Sequence, residues 1–161
     1  MKKLFSVFSA LVALMFYTAA QAMPLQSFSG EPTTLEAKLG KGKWSLVVFW
    51  SHDCSVCRAE TPGLSALYEK HKGKAIDVFG VSIDGERYRG RAQQFIEQTQ
   101  MRFPSYLAEL PFAAASYLQL SGEAFRGTPS FLLFNPSGEL IGEQAGRLDP
   151  SAVERFVRNN S

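Results

Sequence analysis

Cys54 and Cys57 are the only cysteines in this 161-residue chain, and two residues separate them. That spacing suits three chemistries: a redox-active dithiol, a static disulfide, or half of a thiolate metal site. What holds the pair decides among them. Residues 45–50 are apolar and rich in β-branched and aromatic side chains, which predicts a buried strand. Beyond Cys57, Leu64, Leu67 and Tyr68 fall on one side of a helical projection, with Arg58, Glu69 and Lys70 largely on the other. The pair therefore sits at a turn between a strand and a helix.

A thiolate at Cys54 would lie against the first-turn amides of that helix, which lack internal partners and favour negative charge. Each ~1.4 kcal/mol of such stabilisation lowers a thiol pKa by about one unit. The short spacer lets Cys57 reach Cys54, so one thiol can attack a disulfide and the other can resolve the mixed disulfide. A covalent loop this short restrains little of the unfolded chain, which argues against a purely structural bridge. A zinc or copper site lacks ligands: there is no second cysteine pair, and His52 and His71 are the only imidazoles. Redox exchange is the leading reading, with no metal and no cofactor expected. A static disulfide and a metal site are the alternatives.

The supporting elements follow from local pattern. Pro62 lies five residues past Cys57 and should bend or interrupt the helix. The helix should continue to about His71, which reads as a helix-end residue rather than a catalyst, and stop at Gly73. Upstream, residues 23–33 carry Pro24, Gly30 and Pro32 and should be irregular or an edge strand. Residues 34–39 suit a short helix or turn. Downstream, 75–83 reads as a second buried strand and 88–100 as an amphipathic helix. Residues 103–107 suit a short edge strand, where Pro104 is tolerable. A short helix at 112–120 and a strand at 130–134 come next. Asn135-Pro136-Ser137-Gly138 then turns the chain into a hairpin partner at 139–144. Asp149 caps a last helix, with Pro150 at its first position. Strands alternating with helices, closed by a hairpin and helix, predict an α/β domain with a mixed sheet.

Residues 1–22 have the form of a signal peptide: Lys2 and Lys3, an apolar stretch, then Ala20-Gln21-Ala22 as a small-x-small cleavage site. The expected mature domain is 23–161, one domain's worth of chain. An uncleaved membrane anchor is the alternative, because the apolar stretch approaches spanning length. The formal charge of +2 equals the contribution of Lys2 and Lys3. The remainder is neutral and carries no basic stripe, so nucleic acid is not an expected partner.

Several stretches together resemble a known family. They are Val47-Val48-Phe49-Trp50 before the cysteines, Cys54-Ser55-Val56-Cys57, Glu60, Pro62, residues 77–83 with the helix after them, and residues 128–138. From about Gly30 onward the chain resembles the thioredoxin superfamily. More narrowly it is similar to the exported, reductase-type thioredoxin-like proteins associated with cytochrome c maturation and related periplasmic thiol reduction. The resemblance implies a thioredoxin-like fold with a central mixed sheet, a C-terminal hairpin and helix, and a helix-containing insertion. It implies that Cys54 is the exposed attacking thiol and Cys57 the buried resolving thiol. It also implies that Pro129 is cis opposite the pair, and that the backbone of Thr128 pairs with an extended substrate.

Two departures from cytosolic thioredoxin stand out. Val48 occupies the place of its buried acid, and the exported subgroup instead puts a glutamate one turn past the second cysteine, here Glu60. Positions 57 and 60 are neighbours on a helix, so a partly buried Glu60 could accept the Cys57 proton. Asp53 stands where tryptophan is usual and should disfavour a Cys54 thiolate, whereas a protonated His52 would act oppositely. Trp50 is expected beside the substrate surface, chiefly as packing. The leading function is a periplasmic protein thiol–disulfide oxidoreductase acting as a reductant. Its partners would be disulfide-containing proteins and a membrane or periplasmic electron donor, and it would work as a monomer. A dithiol oxidase or isomerase is the alternative direction, and a copper-binding chaperone the alternative class. Peroxidase chemistry would need a cysteine in a threonine and arginine setting that the sequence does not show.

Overall fold

The run at 44–50 occupies the middle of the sheet because it is apolar on both faces. The computed structural model describes residues 22–161, so all but the last residue of the signal peptide expected at 1–22 lies outside the described residues. The run forms β3 (Trp44–Trp50), and every residue of it is buried. Before it come β1 (Pro24–Ser27), β2 (Pro32–Thr34) and a short 3-10 turn at Glu36–Lys38. After it come α1 (Ser55–His71), β4 (Ile76–Ser82), α2 (Arg89–Thr99), β5 (Ser105–Leu107) and α3 (Leu110–Ser121). The chain closes with β6 (Ser130–Phe134), β7 (Leu140–Ala145) and α4 (Pro150–Asn159).

One seven-stranded sheet has the order β2-β1-β5-β4-β3-β6-β7. β3 runs parallel to β4, and β4 parallel to β5. β6 and β7 form the antiparallel hairpin on the other side of β3. This is the mixed sheet that the resemblance implies.

Alternation along β3 feeds two cores. Val47 and Phe49 pack with Met23, Leu35, Tyr117 and Phe134 on one face. Leu46 and Val48 pack with Leu64 and Leu67 of α1 and Val153 and Val157 of α4 on the other. Each such side chain contributes about 1.5–3 kcal/mol when fully buried. β3 is thus held from both sides, and the turn that leaves its C-terminal end starts from a rigid base.

Three local expectations change. Residues 103–107 are not an edge: β5 lies between β4 and β1. Pro104 avoids the cost of a proline inside a sheet by preceding the strand, where its carbonyl accepts the Gly80 amide at 2.8 Å. The segment at 23–33 supplies two strands, with β1 pairing antiparallel to both β2 and β5. Pro62 does not interrupt α1, which runs through it to His71. Pro62 sits on the exposed side, where water can reach the carbonyl that its missing amide leaves free.

Candidate active site

Strand register builds the site. Trp50 of β3 faces Ser82 in the parallel pair, and Phe49 faces Ser130 in the antiparallel pair. Continuing two residues past each match brings His52 level with Asp84, and Ser51 level with Thr128. Both contacts form. His52 Nδ1 lies 2.6 Å from Asp84 Oδ1, and the Ser51 and Thr128 hydroxyls are 3.2 Å apart. The Cys54 amide donates to the Ser51 carbonyl at 3.2 Å, which closes a turn with His52 and Asp53 at its corner.

Cys54 then caps α1. Its backbone is extended, and its Sγ accepts the Cys57 amide at 3.0 Å. The two sulfurs form a disulfide with an S–S distance of 2.08 Å, and their Cα atoms are 5.3 Å apart, within the ordinary span for such bonds. Cys57 is only 3 % exposed, whereas Cys54 is half-buried. An incoming sulfur can therefore reach Cys54 and not Cys57. A thiolate left on Cys54 by reduction would keep the first-turn amide as a donor, a charge-assisted bond stronger than a neutral one.

Beneath the pair lies an aromatic layer. The Trp50 indole stacks on Phe95 at 4.7 Å, and its Nε1 donates to Ser105 Oγ at 2.8 Å. It crosses β4 at Gly80, where a Cβ would lie 2.7 Å from Nε1 and 2.5 Å from Ser105 Oγ. Trp50 is 1 % exposed. It offers no surface to a substrate, which corrects the expectation that placed it among the substrate-binding residues. Its role is to pack Cys57, Ala92, Phe95 and Leu107 into one cluster below the disulfide. The guanidinium of Arg58 lies 4.8 Å from the Phe95 ring centroid, turned to an aromatic face.

Thr128 and Pro129 come to the site from the start of β6, and the peptide bond between them is cis. Pro129 is buried and Thr128 partly exposed. Ser51 donates its hydroxyl proton to Asp53 Oδ1 at 2.7 Å, which leaves the Thr128 hydroxyl to donate to Ser51. That serine bond is the largest influence holding the Asp53 carboxyl below its ordinary pKa, so a negative charge sits one residue before Cys54.

Glu60 is half-buried one turn beyond Cys57. Its Oε1 accepts the Leu148 amide at 3.1 Å, from the loop between β7 and α4. Its Oε2 is buried with no hydrogen-bond partner among the described residues. Burial is the dominant influence and raises its pKa, opposed by the Leu148 amide and by Arg147. A carboxyl with one hydrogen-bonded and one unpartnered oxygen is suited to take up and release a proton. Val48, at the place of thioredoxin's acid, is 3 % exposed within the apolar core.

Neither histidine joins the sulfurs in a metal set. His71 ends α1, fourteen residues beyond Cys57 and so about 21 Å along the helix; its Nε2 lies 2.8 Å from Glu154 Oε1. His52, Asp53 and Asp84 bring potential donor atoms within 4.8 Å of one another. Both Asp84 oxygens already have protein partners: Oδ2 accepts the His52 amide at 2.9 Å and the Ser82 hydroxyl at 2.6 Å, and Oδ1 faces His52 Nδ1. Asp84 is the site residue that sequence reasoning did not single out. The available signal was its place two residues past the end of β4, matching His52 past the end of β3.

The chain is similar to known proteins over much of its length. Residues 14–141 match the AhpC/TSA family. Thiol-disulfide oxidoreductase ResA of Halalkalibacterium halodurans is 24 % identical over 133 residues, covering 83 % of this chain and 70 % of that protein. Alkyl hydroperoxide reductase C of Mycobacterium tuberculosis is 32 % identical over 113 residues, covering 67 % of this chain and 56 % of that protein. The thioredoxin domain of a thiol-disulfide oxidoreductase from Bacteroides vulgatus has a solved structure that superposes with a TM-score of 0.69. That domain is 29 % identical, and the match covers 86 % of this chain and 94 % of the domain.

Proposed function

The chain belongs to the AhpC/TSA family, and from that premise we propose that its Cys54–Cys57 pair reduces protein disulfides outside the cytoplasm. The thioredoxin-like fold and the paired cysteines make it a thiol–disulfide oxidoreductase. What we add is the direction of electron flow, the client class and the compartment. The observation that carries the reading is the asymmetry of the pair, a reachable Cys54 on a helix cap backed by a buried Cys57.

In the reduced protein the Cys54 thiolate attacks a client disulfide. A Cys54–client bond forms, the client bond breaks, and the departing client sulfur carries away the electron pair. Cys57 gives its proton to Glu60 and attacks Cys54 Sγ. The Cys54–Cys57 bond forms, and the client's first sulfur leaves with its pair and takes a proton. Thr128, next to the cis bond, is the position at which an extended client backbone would pair beside the sulfurs.

Asp53 favours the reducing direction. A strongly oxidising dithiol is one whose reduced thiolate form is well stabilised. Here an ionised carboxylate precedes Cys54, and neither Ser55 nor Val56 adds a compensating positive charge. The signal-like N-terminus supports export to the periplasm, where clients would be exported proteins and the electron donor a membrane or periplasmic dithiol. Equilibration with a defined thiol–disulfide buffer tests the direction. A potential more negative than roughly −200 mV supports a reductant, and one near roughly −120 mV would make the protein an oxidant.

The similarity to alkyl hydroperoxide reductase C raises peroxide reduction as a second reading. The surroundings of Cys54 favour it less, because Arg58 is turned to the Phe95 ring and the neighbouring cluster is apolar. Rapid consumption of hydrogen peroxide by the reduced protein would install that reading in place of the first.

A further inference from the structure

The turn that delivers Cys54 carries an imidazole that the mechanism above does not use. Asp84 holds it. The Asp84 side chain is 5 % exposed, and the His52 side chain 17 %. Both Asp84 oxygens accept, with Oδ2 taking the His52 amide and the Ser82 hydroxyl. Nδ1, 2.6 Å from Oδ1, is therefore the nitrogen that donates. In the neutral ring the lone pair is then on Nε2, which makes no hydrogen bond among the described residues. The ring packs against Tyr88 at 5.3 Å, and the Arg87 and Arg91 guanidiniums lie 5.2 and 5.6 Å from that tyrosine ring. Asp53 is the remaining charge in the turn. An imidazole anchored at one nitrogen by a buried carboxylate, with the other left free, is the arrangement of a general base.

Position assigns the base to one half-reaction. Glu60 is tied to the β7–α4 loop, while His52 is tied to the end of β4, on the opposite side of β3. Glu60 thus serves buried Cys57, and His52 stands two residues before Cys54, in the turn that presents the reachable sulfur. We propose that His52 Nε2 accepts the proton of the incoming donor thiol when the Cys54–Cys57 disulfide is reduced. This rests on the pair being a redox dithiol. The donor S–H bond breaks, and its proton passes to Nε2. The donor sulfur bonds to Cys54 Sγ, the Cys54–Cys57 bond breaks, and its electron pair goes to Cys57 Sγ, which takes a proton from the Glu60 carboxyl. The donor's second thiolate then closes the donor disulfide and releases Cys54, which recovers the proton from Nε2. The proton of that second thiol goes to solvent, and Glu60 is left ionised, ready to accept the Cys57 proton in the client half-reaction. The donor dithiol is oxidised, and the protein disulfide is reduced.

The test compares two thiols on the oxidised protein: 2-mercaptoethanol, largely protonated at neutral pH, and an aromatic thiol that is already ionised. His52→Asn keeps a donor for Asp84 and removes Nε2. Reduction is followed by alkylating the freed cysteines and weighing the product. The expected result is that 2-mercaptoethanol reduces the variant at least about tenfold more slowly than wild type, while the ionised thiol changes by less than about twofold. Equal slowing with both thiols, or none with either, overturns the assignment. Wild-type protein that neither thiol reduces would instead defeat the redox reading itself. His52→Gln carries the same comparison if the asparagine variant does not fold.

Discussion

Glu60 and Leu148 are joined by a single bond, Oε1 to the backbone amide at 3.1 Å, and the other carboxylate oxygen is buried without a partner. That half-satisfied carboxyl ties α1 to the loop before α4 and leaves a proton site one turn beyond Cys57. Glu60→Gln preserves an oxygen for Leu148 and removes the proton site. Decay of the mixed disulfide between Cys54 and a client should slow by about 10²-fold or more, a typical loss for an acid–base group. Formation of the mixed disulfide should be little changed. Rapid-quench kinetics separate the two steps.

The same residue sets a pH signature in stability. Burial raises the Glu60 pKa above the ordinary 4.5. The folded state then holds the proton more tightly than the unfolded one, so the contribution of Glu60 is fully present below the ordinary value. It is lost as pH rises through the raised value. Thermal melts of wild type and Glu60→Gln should therefore diverge in favour of glutamine as pH rises from about 4 toward neutrality. A constant gap between the two curves would count against the burial argument.

Asp53 should tune the potential. Its carboxyl is ionised and bonded to Ser51, one residue from Cys54. Asp53→Asn removes a charge that opposes the Cys54 thiolate. Alkylation of reduced Cys54 should then proceed at lower pH, and the reduction potential should become less negative by up to about 30 mV. The carboxylate is exposed, so salt should weaken the wild-type effect. An unchanged alkylation profile would show that the Asp53 charge does not reach the sulfur.

Gly80 is predicted to be sensitive for a reason unrelated to strand propensity. A methyl there would lie 2.7 Å from Trp50 Nε1 and 2.5 Å from Ser105 Oγ. Alanine would ordinarily suit a strand better than glycine. Here overpacking should dominate, with Gly80→Ala destabilising the fold by about 1–3 kcal/mol in urea unfolding. A neutral or stabilising result would mean that the indole has room to move.

What could be read from the chain was what local sequence determines. The β3 run, the Cys54 cap, the helix to His71 and the Asp149–Pro150 start of α4 each depend on residues a few positions apart. The His52–Asp84 contact depends on the parallel register of β3 with β4, set by packing across the sheet. No local pattern announces it. The strands at Pro24–Ser27 and Pro32–Thr34 were obscured because they are short and carry prolines. The burial of Trp50 depends on Gly80, thirty residues away, whose missing side chain makes room for the indole. Thr128 and Pro129 were tied to the cysteines by family resemblance alone, since antiparallel pairing of β3 with β6 is what brings them near.

The division of labour between the two sulfurs is the central claim, and one trapping measurement bears on it directly. Reduced Cys57→Ala and Cys54→Ala proteins are each mixed with a disulfide-containing protein and analysed intact by mass spectrometry. Cys57→Ala should accumulate a stable mixed disulfide through Cys54, and Cys54→Ala should form none at a comparable rate. Adducts formed through Cys57 in Cys54→Ala, or no adduct in Cys57→Ala, would contradict it.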